Sequence, residues 1–137
     1  MGAESQDVSV VIAAAPEDVY AYAVDPAHLP EWAAGLATGV TEVGGRWMAE
    51  SPLGPIEIRF APRNTDGVLD HEIITADGTV FHNPMRVVPH PDGAEVIFTV
   101  NRLAGATDTE FEDDVAAVRA DLATLAAVLR IQPPGAI

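Results

Sequence analysis

The chain has no cysteine, no lysine and no long apolar run. The absence of cysteine excludes disulfide scaffolds, thiolate metal sites and thiol nucleophiles. No segment approaches the roughly 20 consecutive apolar residues that a membrane-spanning helix needs. Residues 1–7 contain two acids and no base, so they lack the charged start and apolar core of a signal peptide. We therefore expect a cytoplasmic protein.

Basic residues are few, because seven arginines stand against 21 acids and the formal net charge is −14. Nucleic acids and anionic bilayers both bind clustered Lys and Arg, so we expect neither nucleic acid nor a membrane as a partner. The 137 residues are 48% hydrophobic and suffice for one packed domain without a metal or disulfide. The sequence predicts a single domain over residues 1–137 and leaves its oligomeric state open.

The apolar pattern alternates first, as in a strand, at Val8, Val10 and Ile12. Two short helices follow, with starts predicted at Pro16 and Asp25. Five turn-forming breaks then divide the middle of the chain. They leave six strand candidates: Thr38–Val43, Arg46–Glu50, Ile56–Ala61, Val68–Thr75, Thr79–Val88 and Ala94–Arg102. The short links between them predict an antiparallel meander.

The C-terminal segment has the clearest pattern. Thr107 and Glu110 form a capping box, and apolar residues recur every three or four positions from Phe111 to Leu129. This predicts a helix of about six turns. The acidic run Glu112–Asp114 near its start is expected to be a solvated face.

Together these elements predict an α+β fold. A seven-stranded curved antiparallel sheet wraps around the long C-terminal helix, and two short helices follow the first strand. A sheet this wide, covered by so few helices, leaves a hollow that is a natural ligand site.

Alternation along the strands assigns one face to this hollow and the other to solvent. Glu57, Arg59 and Glu72 are predicted on the outer face, where cross-strand charge pairs contribute little. The inward set is mostly apolar and aromatic, with His71 and Asn83 as its polar members. The predicted ligand-binding residues are Trp32, Leu36, Trp47, Phe60, His71, Phe81, Asn83, Met85, Phe98, Val118 and Leu122.

His71 and Asn83 have two interpretations. As catalytic residues, His71 is a general acid or base and Asn83 donates a hydrogen bond to a developing oxyanion. As structural residues, His71 is a core histidine bonded to a neighbour, and Asn83 satisfies backbone at an edge, bulge or kink that Pro84 marks. The four histidines show no metal-ligand spacing, so we expect no metal and no cofactor.

Two N-terminal motifs and the C-terminal helix resemble one family. Residues 10–22, Val-Val-Ile-Ala-Ala-Ala-Pro-Glu-Asp-Val-Tyr-Ala-Tyr, are similar to the opening of the SRPBCC (START-related) superfamily. Residues 25–32, Asp-Pro-Ala-His-Leu-Pro-Glu-Trp, resemble its next element. The similarity covers nearly the whole chain and is closest to the polyketide cyclase/dehydrase and lipid-transport branch. The resemblance implies a helix-grip fold and a deep apolar pocket that the C-terminal helix seals.

The resemblance leaves several functions open. The superfamily includes ligand carriers, cyclases and heat-shock-ATPase activators, and shares no catalytic residue; the activators usually have Trp-Trp where this chain has Trp32-Ala33. Our leading hypothesis is a binding protein for a small hydrophobic molecule, such as a lipid, polyketide or aromatic metabolite. One alternative is a cyclase, dehydrase or isomerase that acts on a polyketide-like carbonyl compound through His71. Another is a module that presents its acidic surface to a basic partner.

Overall fold

The computed structural model describes residues 5–33, 38–52 and 54–131, without the side chains of residues 130 and 131. The described elements follow the α+β order expected from the sequence. In chain order they are β1 (Ser5–Ile12), α1 (Pro16–Ala23), a 3₁₀ turn (Pro26–His28), α2 (Leu29–Trp32), β2 (Gly39–Val43), β3 (Arg46–Ser51), β4 (Gly54–Phe60), β5 (His71–Thr75), β6 (Val80–Asn83), β7 (Met85–His90), β8 (Gly93–Asn101) and α3 (Asp108–Ile131).

The strands pair antiparallel in two sheets, one in the order β1-β8-β7 and the other in the order β2-β3-β4-β5-β6. The long helix α3 packs against β1, β8 and α2. Its capping box is present, since the Thr107 hydroxyl accepts from the Glu110 N–H at 3.1 Å and the Glu110 carboxylate accepts from the Thr107 N–H at 2.9 Å. The arrangement agrees with the helix-grip fold.

The predicted single sheet of seven strands is wrong in strand number and in continuity. The candidate Thr79–Val88 is two strands, β6 and β7, which belong to different sheets. Pro84 lies between them and has no N–H to donate to a ladder, so pairing stops there. Its carbonyl accepts from the Thr99 N–H at 2.9 Å, which ties the break to β8. The irregularity expected at Pro84 is therefore a break between two sheets.

The fourth strand candidate also differs, because β5 begins only at His71. The three residues before Asp70 bond to β7 instead of to β4 or β6. The Leu69 N–H donates to the Met85 carbonyl at 2.8 Å, and the Val87 N–H donates to the Gly67 carbonyl at 2.9 Å. This segment is thus an extension of the three-stranded sheet.

The chain therefore changes sheets twice at one place, between Asp70 and His71 and again at Pro84. The Asp70 carboxylate accepts the Met85 N–H at 2.9 Å, which holds the two crossings together. We call residues 70–71 and 83–85 the sheet junction. It places His71 and Asn83 directly opposite each other at the end of the five-stranded sheet.

The outer charge ladder is present, but one of its members is not exposed. Glu57 is only 5% exposed, because Arg46 and Arg59 cover its carboxylate with N···O distances of 2.7 and 3.2 Å. The hydrogen bond from Arg46 is the main cause that holds the pKa of Glu57 below its ordinary value. The remaining predicted acid, Glu72, lies 3.1 Å from the ring of His82. These contacts support the register and form no binding site.

The close packing of residues 67–69 against β7 can be tested with two glycines that both have positive φ. Gly67 has φ +74° and Gly78 has φ +88°, but a Cβ at Gly67 would lie 2.1 Å from the Val87 carbonyl oxygen, whereas one at Gly78 meets nothing within 4 Å. We expect Gly78→Ala to lower the free energy of unfolding by about 1 kcal/mol, from backbone strain alone. Gly67→Ala should lower it by about 3 kcal/mol or more, since the backbone of β7 must also move. Urea denaturation measures both, and equal losses would contradict the tight contact.

Candidate functional site

A hollow of about 270 Å³ lies between the sheets, α2 and α3. Its wall is mostly apolar, with polar side chains at a few points. The apolar lining residues are Leu29, Trp32, Ala33, Ile73, Phe81, Phe98, Val100, Leu103, Ala117, Val118 and Leu122, and the polar ones are His71, Asn83, Asn101, Asp114 and Asp121. We call this hollow the inner cavity.

Most of the residues predicted to bind ligand line the inner cavity. They are Trp32, His71, Phe81, Asn83, Phe98, Val118 and Leu122. Phe60 instead lines a hollow at the outer side of the sheet junction. Met85 is 1% exposed and belongs to the core. Trp47 is half-buried opposite Ile58, its partner on β4, and does not line either hollow. Leu36 lies outside the described residues.

His71 is the most buried polar residue of the cavity wall, at 5% exposed. Its Nδ1–H donates to the Leu69 carbonyl at 3.0 Å. Because a carbonyl only accepts, Nε2 carries the lone pair. The Asn83 amide nitrogen lies 3.4 Å from Nε2, at the long end of a hydrogen bond. The rings of Phe60 and Phe98 lie 5.0 and 5.7 Å from the imidazole.

Burial lowers the pKa of His71 below its ordinary value, and it outweighs the opposing effects of the Leu69 carbonyl and the Asp70 charge. The imidazole is therefore neutral at neutral pH, with a basic Nε2 beside Asn83. This is the form that a general base requires. A purely structural histidine would make the same hydrogen bonds. The structure therefore brings His71 and Asn83 together and is compatible with both the catalytic and the structural interpretation.

His71 and Asn83 also line a second hollow, of about 340 Å³, which we call the outer cleft. Arg59, Glu72 and His82 line it too, and these are neighbours across the outer face of β4, β5 and β6. His71 and Asn83 thus line both hollows, and both residues belong to the sheet junction.

Nine residues of the cavity wall are absent from the predicted ligand-binding set, and the charged ones among them are two acids on α3. Asp114 and Asp121 are seven residues apart, which places them on one face of the helix, with Val118 between them. Asp114 was expected on a solvated face; it is exposed but lies at the cavity mouth. The available signal was spacing, since both acids are three or four residues from Val118 of the apolar stripe.

The cavity changes the ionisation of both acids. Burial raises the pKa of Asp121 to about 6. Burial also raises the pKa of Asp114, and the like charges of Asp113 and Glu110 add to this effect. No cationic side chain lines the cavity among the residues that the structure describes. The acids therefore give the cavity an uncompensated negative edge at neutral pH.

Trp32, which lines the cavity, also carries a buried polar group, the indole Nε1. Trp32 is 4% exposed, and its Nε1–H has no hydrogen-bond partner in the described part of the chain. A buried unsatisfied donor costs about 1–3 kcal/mol.

The structure also bears on metals and membranes. In residues 5–33, 38–52 and 54–129, no three His, Asp or Glu side chains cluster as metal ligands would. No described helix combines the length and the apolar character needed to cross a membrane.

The same fold occurs in solved structures of low sequence identity. CV1439 from Chromobacterium violaceum is 20% identical with a TM-score of 0.64, over 92% of this chain and 97% of that chain. XoxI from Bacillus cereus is 15% identical with a TM-score of 0.73, over 95% and 99%. DynU16, a protein of the dynemicin biosynthetic locus, is 15% identical with a TM-score of 0.71; the match covers 97% of this chain but 49% of DynU16. These likenesses show the fold alone.

The comparison with curated proteins gives no significant match. A family model described as polyketide cyclase / dehydrase and lipid transport matches residues 4–130. The match spans nearly the whole chain, including both N-terminal motifs and α3, and it agrees with the helix that packs over an apolar cavity. The chain belongs to the polyketide cyclase/dehydrase and lipid-transport family.

Proposed function

We propose that the protein binds a small hydrophobic molecule in the inner cavity. The observation that carries this proposal is a hollow of about 270 Å³ with a mostly apolar wall. Sites for small molecules are typically concave and mostly apolar, with a few polar groups that orient the ligand. The inner cavity has this form and therefore favours an occupant.

The size and lining of the cavity narrow the ligand. Ligand pockets commonly measure roughly 300–1,000 Å³, so about 270 Å³ suits a compact molecule of a few rings or a short chain. Phe81 and Phe98 offer aromatic surface, and burial of apolar ligand area contributes roughly 25 cal/mol per Å². His71 and Asn83 would orient one polar group of the ligand.

The family supports the same class of ligand. Its description names polyketide cyclisation and lipid transport, and DynU16 comes from a biosynthetic locus. Polyketides and lipids share an apolar body with a few oxygen atoms, which matches an apolar wall with a few polar points. The cytoplasmic location and the acidic-module alternative remain predictions.

A bulky substitution at the cavity mouth tests whether the inner cavity is the binding site. Ala117 and Ala116 are adjacent and exposed on α3, but only Ala117 lines the cavity. We expect Ala117→Trp to weaken binding of the neutral apolar dye N-phenyl-1-naphthylamine at least about tenfold, because the indole occupies the space that the dye needs. Ala116→Trp should bind like wild type.

Fluorescence titration gives the dye affinities, and thermal unfolding shows that both variants are folded. Equal affinities for the two tryptophan variants would place the dye elsewhere and contradict the proposed site. The absence of any dye binding to the wild-type protein would contradict the proposal directly.

A second function, acid–base catalysis on a carbonyl compound, is favoured by one observation. His71 and Asn83 line the same cavity, and His71 holds a neutral Nε2 lone pair there. A neutral imidazole can accept a proton next to a carbonyl group while Asn83 donates to the developing oxyanion. The polyketide cyclase and dehydrase reactions named by the family description need such a base.

A base-sensitive probe tests whether His71 is accessible and reactive. The compound 5-nitrobenzisoxazole opens when a base removes its ring C–H proton, and the phenolate product is coloured. We expect the wild-type protein to accelerate this reaction and His71→Gln to slow it about 10²-fold. The rate should rise with pH through the lowered pKa of His71, because only the neutral ring accepts a proton.

His90→Gln is the matched control, since His90 at the end of β7 is outside both hollows. It should react like wild type. Equal rates for wild type and His71→Gln would show that His71 is not an accessible base and would favour its structural role.

A further inference from the structure

We propose that the inner cavity selects ligands that carry an amine beside their apolar body and rejects carboxylates of the same size. This inference rests on the proposed ligand-binding function and specifies the class of ligand. It comes from the two acids on the α3 wall and from the absence of a cation beside them in the described cavity.

The geometry places both acids on the wall of the proposed binding cavity. Asp121 and Asp114 line the same cavity as the aromatic wall of Phe81 and Phe98. An ionised carboxylate only accepts hydrogen bonds. A ligand whose rings pack on the aromatic wall therefore needs a donor, and best a cation, at the helix side.

Among the described residues that line the cavity, none supplies a positive counter-charge, and Arg119, which is on α3 two positions from Asp121, is not one of them. The sequence has no lysine, and no arginine lines the cavity in the part of the chain that the structure describes. Arg102, which follows β8, is occupied elsewhere, because its guanidinium contacts the Asp108 carboxylate at 2.7 Å and the Ala106 carbonyl at 3.0 Å. An incoming amine therefore meets no competing cation among the described lining residues.

The elements packed against α3 add no positive charge either. Their charged residues are Asp7 on β1, Glu31 on α2 and Glu95 on β8, and none of these lines the cavity. Asp7 accepts from Thr99, and Glu31 accepts from Tyr22. Among the described lining residues, the only titratable group besides the two acids is His71 on β5, which burial keeps neutral.

Ionisation gives the proposal a pH signature. Asp121, with its pKa raised to about 6, is mostly ionised at pH 7.5 and mostly protonated at pH 5. An ammonium ligand loses its counter-charge as the pH falls, whereas a carboxylate ligand loses a repulsive neighbour. The two classes of ligand should therefore respond to pH in opposite directions.

Three probes with one ring system isolate the head group. They are 2-naphthylmethylamine, 2-naphthalenemethanol and 2-naphthoic acid, whose charges are +1, 0 and −1 from pH 5 to pH 7.5. At pH 7.5 we expect the amine to bind about tenfold more tightly than the alcohol, and the acid to bind more weakly than the alcohol. Isothermal titration calorimetry in low salt measures all three.

Asp121→Asn should reduce the preference for the amine to about twofold and leave the affinity for the alcohol unchanged. Lowering the pH from 7.5 to 5 should weaken amine binding to wild type but not to Asp121→Asn. Glu112→Gln is the matched control. Glu112 is exposed on the same helix and does not line the cavity, and its substitution also removes one negative charge. It should behave like wild type with every probe.

A readout without ligand confirms that Asp121 titrates as the proposal requires. Its pKa is raised in the folded state from 3.8 to about 6, so between these values the folded protein retains a proton that the unfolded chain releases. The free energy of unfolding should therefore fall as the pH rises from about 4 to about 6. Urea denaturation should show that Asp121→Asn loses this component and that Glu112→Gln keeps it.

The outcomes separate this inference from the function on which it rests. Binding of the alcohol with no preference for the amine, or with tighter binding of the acid, overturns the inference and leaves the proposed cavity function intact. Failure of all three probes, the alcohol included, overturns the proposed function together with the inference. If the preference for the amine persists in Asp121→Asn and is lost in Glu112→Gln, its source is surface charge and not the cavity. That result overturns the inference.

Discussion

The missing N–H of Pro84 is the constraint on which the candidate site depends. The pairing of β6 ends at this residue, and β7 begins after it in the other sheet. The Met85 N–H, the first after the break, donates to the Asp70 carboxylate. The chain changes sheets there, and His71 and Asn83, which flank the change, line both the inner cavity and the outer cleft.

Local sequence patterns predicted most of the strands and helices. The division of the strands into two sheets depends on hydrogen bonds between residues that are far apart in sequence. The strand alternation that placed His71 and Asn83 inward needs only the period of two along β5 and β6, and the register pairs them. The division into two sheets depends on bonds such as Leu69 to Met85, which join residues far apart in sequence. A single sequence shows a proline as a break, but it does not show which partner each side of the break will take.

The width of the apolar stripe on α3 explains why the acids were missed. Val115, Val118 and Leu122 define the centre of the stripe, and a helix of 3.6 residues per turn leaves its margins undefined. Asp121 lies at that margin, where the neighbouring sheet decides whether a side chain is solvated or faces a hollow. The burial of Glu57 by Arg46 and Arg59 was unpredictable for a similar reason. The long arginine side chains can cover a neighbour even on an outer face, and alternation along a strand does not show this.

The features that reduce stability gather in one place. The cavity leaves apolar side chains without packing partners, the Trp32 N–H lacks an acceptor among the described residues, and desolvation raises the pKa of Asp121. Each is a local departure from what a well-packed core favours. Such departures persist where function requires them, because substitutions that fill a cavity or remove a buried charge are readily found. Their shared location is a second reason, besides the apolar wall, for proposing the inner cavity as the binding site.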